Sequence, residues 1–297
     1  MIEAGQNGWG DLTATAPMLA GAVILVAFLA WERRVKEPLV DLALFRSPSF
    51  TAGTGLSTLM SFTMFGVLFT MPQYFQAILG ADAMGSGYRL LPMIAGLVVG
   101  VSVADRLATL AGAKTAVGGG FALLACGLFF GATTGVSSGS GLAAAWMAVY
   151  GLGLGLALPT AMDAALSALP ADGAGVGSAV NQAVRTVGGS FGAAILGSVL
   201  NSSYRGQLDL TVLPAAAARA ARESVFGGLE VARAIGSTGL ADSVRTAFVH
   251  GLDEVLLVCG GLGVLGMALA ALWLPRHAAS AGQREHRRAE SKHESTV

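Results

Sequence analysis

The chain has 297 residues, of which 54% are hydrophobic and 12% are charged, and its formal net charge is zero. Soluble domains carry about 25% charged residues, so this composition excludes an ordinary soluble domain and predicts a polytopic membrane protein. A net charge of zero gives no support for a nucleic-acid partner, and the two cysteines, Cys126 and Cys259, lie inside apolar runs without metal-site spacing.

The N-terminal part of the sequence holds one predicted span and a linker. An apolar run extends from about Ala14 to Trp31 and ends in WERRVK, whose positive charges predict a cytoplasmic end. The next segment, EPLVDLALFRSPSF, is either a short amphipathic surface at the membrane interface or a plain connection. We therefore expect residues 1–48 to form an outer loop, a first transmembrane helix and a cytoplasmic linker.

Six further apolar runs follow, each long enough to cross a bilayer, which takes about 20 residues. They extend over Phe50 to about Tyr74, Tyr88 to Leu107, Thr115 to Thr134, Leu142 to Ala164, Val176 to Leu200 and Leu252 to Leu274. The pattern predicts an all-α integral membrane protein of about seven transmembrane helices, in which residues 49–275 form a six-helix bundle. Alternating directions place the N-terminus outside and the C-terminus in the cytoplasm.

Two polar segments interrupt this pattern towards the C-terminus. Residues from about Asn201 to Thr246 have roughly helical spacing, which predicts an outer loop with a short surface helix. The arginines of this stretch strain the positive-inside rule, although long loops contribute less to it. Residues 276–297 are polar and basic, which predicts a disordered cytoplasmic tail.

Glycine pairs at small-xxx-small spacing predict where helices approach closely in lipid. These pairs are Gly96/Gly100, Gly151/Gly155 and Gly188/Gly192. The last two lie in the runs on either side of the polar elbow LSALPADGAG, so we expect these runs to form a tight, glycine-packed hairpin. Pro159, late in the first of them, should kink or end its helix.

Arg185 and Asn181 place polar groups inside the run after this elbow. Arg185 lies roughly 15 Å deep at 1.5 Å per residue, where an arginine costs about 2.5–3.5 kcal/mol. It should therefore face the bundle or a wet cavity, with Asn181 one turn away on the same face. Arg185 is then either a cavity or gating charge, or one half of a structural pair that holds the hairpin.

Further polar residues lie near the predicted membrane interfaces. Asp163 is the nearest candidate partner of Arg185 in the sequence, and it is alternatively a proton carrier or a solvated carboxylate. Gln73 and Gln76 lie at the outer end of their run, as interfacial residues or as part of a substrate cavity. The HxxDE pattern that begins at His250 lacks the further ligands that a metal site needs.

Several motifs resemble one transporter family. The segments GLGLGLALPTAMDAAL and GAGVGSAVNQAVRTVGGSFGAAILGSVL resemble the penultimate helix pair of the fourteen-helix drug:proton antiporters of the major facilitator superfamily. The similarity extends over roughly residues 1–275. It implies that the chain is the C-terminal half of such a transporter, and that its last six helices are two inverted three-helix repeats.

Asp105, Arg106, Gly112 and Lys114 resemble the cytoplasmic loop signature of this superfamily, with looser spacing than usual. A carboxylate at a helix end can accept bonds from a neighbouring helix N-terminus or pair with a nearby arginine. The resemblance therefore implies a latch on the cytoplasmic side, and a solvated turn is the alternative.

The function implied by the resemblance is proton-driven export of small lipophilic or cationic molecules across a bacterial inner membrane. The proton is the coupling ion, and no other cofactor or metal is expected. The partners are the small-molecule substrate, the lipid bilayer and a missing N-terminal half, without which the chain is expected to be inactive. A non-transporting membrane interaction protein and a truncated gene product are the alternatives, and the four histidines are too few to favour a membrane enzyme.

Overall fold

The computed structural model describes residues 42–167, 169, 174–208 and 213–274, together with six single positions between residues 21 and 31. Within these residues the chain forms helices, turns and bends, and no strand. The predicted N-terminal loop, most of the predicted first span, most of the linker and the predicted tail lie outside the described residues. The described positions of the first span, among them Val23 and Trp31, are helical and exposed.

In the part of the chain that the structure describes, a short 3-10 helix at Leu42–Arg46 precedes nine α-helices. They are α1 (Pro48–Ala77), α2 (Ala83–Arg89), α3 (Leu91–Ala111), α4 (Ala113–Gly131), α5 (Ser140–Leu166), α6 (Ala174–Gln207), α7 (Ala215–Glu223), α8 (Val225–Ala234) and α9 (Thr238–Trp273). Among the described residues, six segments are long and apolar enough to cross a membrane, namely α1, α2 together with α3, α4, α5, α6 and α9. The protein is therefore a multi-pass membrane protein.

Local sequence signals explain several helix ends. Ser47 caps α1 by accepting the Phe50 N–H at 3.4 Å, and Pro48 takes the first helical position, where no N–H donor is needed. Pro92 lacks this donor at the start of α3, which separates α3 from α2. Gly112 has φ 87°, a conformation that favours glycine, and it connects α3 directly to α4.

Pro159 lies inside α5, and the helix continues to Leu166. The sequence predicted that Pro159 either kinks or ends its helix, and the structure excludes the second effect. Transmembrane helices tolerate an internal proline where neighbouring groups satisfy the freed carbonyl, and α1 likewise continues past Pro72.

The last span begins earlier than the apolar run predicts. α9 starts at Thr238 rather than near Leu252, and Ser237 caps it by accepting the Leu240 N–H at 3.2 Å. Its polar first turns are helical because Val244 and the apolar residues after it are buried against the bundle. The stretch predicted as one long loop is therefore partly the ends of α6 and α9, with α7 and α8 between them.

The six spans group as two sets of three, α1 to α4 and α5, α6 and α9. The most extensive interface joins α3, the second span of the first set, to α5, the first span of the second set. The equivalent pair with the two sets exchanged is α6 and α1, and these helices also pack together. The third spans, α4 and α9, pack against each other. This exchange is the arrangement expected of two inverted three-helix repeats.

Consecutive helices α5 and α6 scarcely touch, so the predicted glycine-packed hairpin is wrong. The glycines of α5 meet the other repeat instead, and those of α6 meet α1. Gly188 lies against Thr58, and Gly192 lies against the backbone of Phe62. Spacing identified residues at close approaches, but it did not identify the partner helix, because small residues pack equally well against any close backbone.

The interface between α3 and α5 is the tightest of these approaches. A Cβ atom added to any of four glycines would overlap a backbone carbonyl oxygen of the opposite helix: Gly96, Gly100, Gly151 and Gly155. Without a hydrophobic drive between helices in lipid, such backbone contact supplies the packing energy.

Burial is uneven among the spans. In the most apolar stretch of each span, 56% of the residues are buried in α1 and in α5, against 22% in Ala83–Ala111 and in α6. The largest fully buried side chains include Trp146, Tyr150 and Tyr74, which belong to one hydrophobic core cluster. The bundle therefore leaves one face of α3 and one face of α6 uncovered, and we call these two surfaces the open faces.

Candidate functional site

Arg185 reaches from α6 towards α1 and α5. Its Nε donates to Ser61 Oγ at 3.2 Å, and its Nη1 lies 3.1 Å from Met162 Sδ and 3.4 Å from Gln182 Oε1. The side chain is half-buried, and among the described residues its Nη2 atom has no partner. Because a guanidinium carries five N–H donors and these partners are neutral, it retains capacity for an anion or a carboxylate.

Asn181 lies one turn before Arg185 and is fully buried. Its Oδ1 accepts a hydrogen bond from Ser57 Oγ at 3.0 Å, whereas its Nδ2 has no partner in the described part of the chain. The Oγ1 of Thr54, also buried, is without a partner there as well. A buried polar group left unpaired costs about 1–3 kcal/mol, so such atoms are typical of sites with a function beyond packing.

These residues of α1 and α6 form one polar cluster, which consists of Thr54, Ser57, Ser61, Asn181 and Arg185. The cluster joins two spans of different repeats at their closest contact, because Gly188 and Gly192 allow α6 to approach α1. A change in the packing of α1 against α6 would therefore change the hydrogen bonds of Arg185.

The open face of α6 carries a polar stripe that was not among the predicted site residues. Ser178, Gln182, Thr186 and Ser190 recur every fourth residue, and all four are exposed. The hydroxyls of Thr186 and Ser190 donate to the carbonyl oxygens one turn earlier, at 2.9 and 3.0 Å. Lipid offers no partner to the amide of Gln182, so the stripe suits a water-filled cavity. The four-residue spacing was a signal that a search for polar periodicity would have found.

Asp163 does not pair with Arg185. The ion pairs among the described residues are Arg245–Asp242 at 3.3 Å and His250–Glu254 at 3.5 Å, both along α9. Asp163 is exposed near the end of α5 and interacts electrostatically with Asp105 of α3. Arg185 does reach α5, but it contacts Met162 at 3.1 Å, and the adjacent Asp163 is exposed and makes no ion pair with it. A role of Asp163 in proton transfer stays a prediction.

The four residues of the loop signature lie together at one end of the bundle. Asp105 and Arg106 are exposed in the last turns of α3, Gly112 forms the turn, and Lys114 is in the first turn of α4. Among the described residues, none of the three charged side chains makes an ion pair or a side-chain hydrogen bond. The latch therefore stays a prediction.

The two glutamines predicted for the cavity lie away from Arg185. Gln73 lines a cavity of about 200 Å³, and Gln76 lines a separate groove of about 830 Å³. Ser61 and Gln73 are about 18 Å apart along α1 at 1.5 Å per residue. The predicted site residues thus divide into a polar cluster around Arg185 and two hollows towards the other end of the bundle.

The polar groups of α9 complete the set of candidates. Asp253 Oδ1 is buried without a partner among the described residues, beside the His250–Glu254 pair. Within the part of the chain that the structure describes, no group of three or more His, Cys, Asp or Glu residues is placed to hold a metal ion.

Comparison with known proteins shows a match to one family model and similarity to several transporters. Residues 8–193 match the family model of the Major Facilitator Superfamily. The chain is 30% identical over 286 residues to the tetracenomycin C resistance and export protein of Streptomyces glaucescens, which covers 91% of this chain and 52% of that protein. It is 29% identical over 208 residues to the multidrug transporter protein MdtP of Bacillus subtilis, covering 70% and 38%.

A third relative and a solved structure agree with these matches. The multidrug resistance protein Stp of Mycobacterium tuberculosis is 26% identical over 295 residues, covering 95% of this chain and 55% of that protein. The chain therefore spans about half the length of the curated relatives that it matches. A bacterial homolog of the human lysosomal transporter Spinster, inward-facing and unoccupied, has a TM-score of 0.56 at 14% identity, over 87% of this chain and 58% of that one, which shows a shared fold.

Proposed function

Because the chain belongs to the Major Facilitator Superfamily, we propose that it forms the C-terminal bundle of a proton-coupled exporter of small lipophilic or cationic molecules. The exporter is of the fourteen-helix antiporter type and works by alternating access, in which two bundles rock around a site between them. The second bundle is an N-terminal one, and this bundle alone does not transport.

The observation that carries this proposal is the open face of α6. Only 22% of the most apolar stretch of α6 is buried, and a polar stripe extends along the uncovered side. The half-buried guanidinium of Arg185 lies beside that stripe. A polar stripe and a charge are unfavourable against lipid and favourable against a water-filled cavity, so this face supports a place opposite a second bundle.

The residues of the polar cluster have distinct roles in this proposal. Arg185 pairs with a carboxylate of the second bundle and so acts as a gating charge. Asn181 and Ser57 hold α6 against α1 and position that charge. Val187 and Phe191, both exposed on α6, provide apolar wall area that suits lipophilic molecules of varied shape.

The substrate class and the coupling ion rest on the relatives and on the carboxylates. The matched proteins of Streptomyces glaucescens and Bacillus subtilis are an antibiotic export protein and a multidrug transporter, which supports export of small organic molecules. Asp163, exposed on α5 near Asp105, is our candidate proton carrier.

The proposed orientation places the start of α1 and the end of α9 in the cytoplasm of a bacterium. Six spans bring these two ends to the same side of the membrane. The short connection between α3 and α4 on that side carries Arg106 and Lys114, and positive charge in short loops favours the cytoplasm.

Export is tested by measuring efflux of a fluorescent cation such as ethidium from bacterial cells that lack their own drug exporters. The chain is expressed alone and together with the part of the Streptomyces glaucescens relative that this chain does not match. We expect efflux only on co-expression, and we expect a protonophore to abolish it.

Each part of the proposal has its own contrary result. Efflux by the chain alone would contradict the dependence on a second bundle, and efflux that survives the protonophore would contradict proton coupling. If the two parts co-purify as a complex without moving any of a panel of lipophilic cations, the alternative of a non-transporting interaction protein is favoured.

A further inference from the structure

A second candidate site lies at the end of the bundle that carries α7 and α8. The cavity of about 200 Å³ named above is enclosed by α1, α6, α9 and the elbow between α7 and α8. Among the described residues that line it, Glu223 is the only charged one, and Gln73 and Asn201 contribute amides. The described part of the lining therefore carries one negative charge and no positive charge.

Three aromatic side chains share this cavity with the carboxylate. Phe69 comes from α1, Tyr204 from α6 and Phe248 from α9. The face of an aromatic ring attracts a cation, and aromatic cages are a known means of recognising quaternary ammonium groups. Such a cation has no N–H donor, so aromatic rings and one carboxylate can bind it without any further hydrogen-bond acceptor.

The wall that carries the carboxylate is held in place by hydrogen bonds. The hydroxyl of Tyr204, whose residue is 2% exposed, donates to the Ala221 carbonyl oxygen at 2.8 Å, and the Ser224 carbonyl oxygen lies 3.3 Å from the same hydroxyl. Ser224 Oγ in turn accepts the Gly227 N–H at 3.0 Å and caps α8. These bonds hold the backbone on both sides of Glu223, whose residue is itself exposed.

The Glu223 carboxylate has no ion pair or hydrogen bond among the described residues. The nearby guanidinium of Arg205 donates its Nε to the carbonyl oxygen of Arg222 at 3.1 Å, and neither arginine lines the cavity. The carboxylate is therefore available to a positively charged ligand.

We propose that this cavity binds a small quaternary ammonium ion, with Glu223 as the counter-charge and Phe69, Tyr204 and Phe248 as the aromatic walls. Its volume suits a choline-sized ion and is below the roughly 300–1,000 Å³ of drug-sized pockets. Arg185 and Asn201 are about 24 Å apart along α6 at 1.5 Å per residue, so this site goes beyond the function proposed above. Binding here requires neither transport nor a second bundle.

The test is equilibrium binding of choline to the purified full chain in a maltoside detergent, by isothermal titration calorimetry. Its uncharged isostere, 3,3-dimethylbutan-1-ol, is titrated in parallel, because it has the same shape without the charge. We expect choline to bind at least about fivefold more tightly than the isostere, and Glu223→Gln to weaken choline binding by a similar factor.

Matched variants separate the charge of the site from the charge of the surface. Glu230→Gln removes one charge from the exposed side of α8 outside this cavity, and we expect choline binding to stay within about twofold of the unmodified chain. Phe69→Leu should weaken choline binding with little effect on binding of the isostere. Retention of the helical circular dichroism spectrum shows that each variant is folded.

The source of the ligand is distinguished by the lipid. In nanodiscs of phosphatidylcholine, a site that accepts lipid headgroups shows weaker binding of added choline than in phosphatidylglycerol nanodiscs, whereas equal binding assigns the site to free cations. Equal affinity for choline and its isostere, unchanged binding by Glu223→Gln, or no binding by any form would overturn the proposal. None of these results bears on dye efflux, so the proposed function is tested separately.

Discussion

Helices α5 and α6 are both glycine-rich spans, yet they differ in how much of each helix is buried. In the most apolar stretch of each, 56% of the residues of α5 and 22% of those of α6 are buried. The glycines of α5 meet backbone on two sides, because Gly151 lies against α3 and Gly153 lies against α4. In α6, Gly188 and Gly192 both lie against the α1 side.

The difference teaches that apolar character and packing are separate properties in a membrane protein. Ala83–Ala111 has the same mean hydropathy as α5, but its burial equals that of α6. Ala83–Ala111 and α6 are the second spans of the two repeats, so the symmetry of the bundle decides which helices remain open. In lipid an uncovered apolar face has no cost, whereas the polar stripe of α6 requires water or a partner.

The largest effect is expected from filling the contact between α5 and α3. A Cβ atom at Gly151 would overlap the carbonyl oxygen of Met93, so Gly151→Ala should lower the free energy of unfolding by about 2–3 kcal/mol. Gly188→Ala should cost about 1 kcal/mol less, because the nearest atom there is the Thr58 methyl group, which belongs to a side chain. Thermal unfolding in detergent measures both.

The control for this pair is Gly118→Ala on α4, where no atom of the described residues lies within 4 Å of an added Cβ. It should leave the unfolding temperature unchanged or raise it slightly, since alanine favours the helix by up to about 1 kcal/mol. If Gly151→Ala is as stable as this control, the tight packing of α5 is not what distinguishes it from α6.

The charge on the open side of α6 should matter for transport more than for stability. Arg185→Gln removes the guanidinium that contacts Ser61 and Met162, and we expect dye efflux to fall by at least about tenfold in the co-expressed transporter. The free energy of unfolding should change by less than about 1 kcal/mol, because the side chain is half-buried and its partners are neutral.

Arg219→Gln, which removes an exposed charge from α7, serves as the comparison and should retain full efflux. A large loss of stability in Arg185→Gln with normal efflux of the remaining folded protein would assign the arginine to structure instead of to the cavity.

Water access offers a direct comparison of the two helices. In a chain with Cys126→Ala, which removes the exposed native cysteine, Thr186→Cys on α6 should react with a membrane-impermeant maleimide at least about tenfold faster than Thr160→Cys on α5. Thr186 is exposed on the polar stripe, whereas Thr160 is 6% exposed. Slow labelling at both positions would place the stripe against lipid and contradict the water-filled cavity.

The smallest effect concerns the one end of α6 that is covered. Tyr204→Phe removes the hydroxyl that donates to the Ala221 carbonyl oxygen at 2.8 Å, and should cost about 1 kcal/mol. Limited proteolysis should then cut the α7–α8 region faster. The Tyr88→Phe variant, changed at a residue that is 63% exposed, should be cut at the same rate as the unmodified chain. Equal cleavage rates in both variants would show that Tyr204 does not hold the elbow between α7 and α8.

Much of the site was beyond prediction from the sequence, for identifiable reasons. The depth of Arg185 in its span predicted that the side chain faces protein or water, and in the structure it donates a hydrogen bond to Ser61. Arg185 does not pair with Asp163, because the guanidinium contacts the adjacent Met162 while the Asp163 residue is exposed, a difference in side-chain direction that spacing along the chain does not give. The start of α9 was misplaced because hydropathy does not register a polar but capped first turn.

The sequence by itself determined that this protein crosses a membrane several times, because apolar runs of that length have no other stable environment. It also determined where helices can approach closely, since glycine spacing is local information. Only the tertiary structure decided which helices meet, which faces stay open and which polar groups converge. Those properties depend on contacts between residues far apart in the chain, and such contacts are fixed by the packing of the whole bundle.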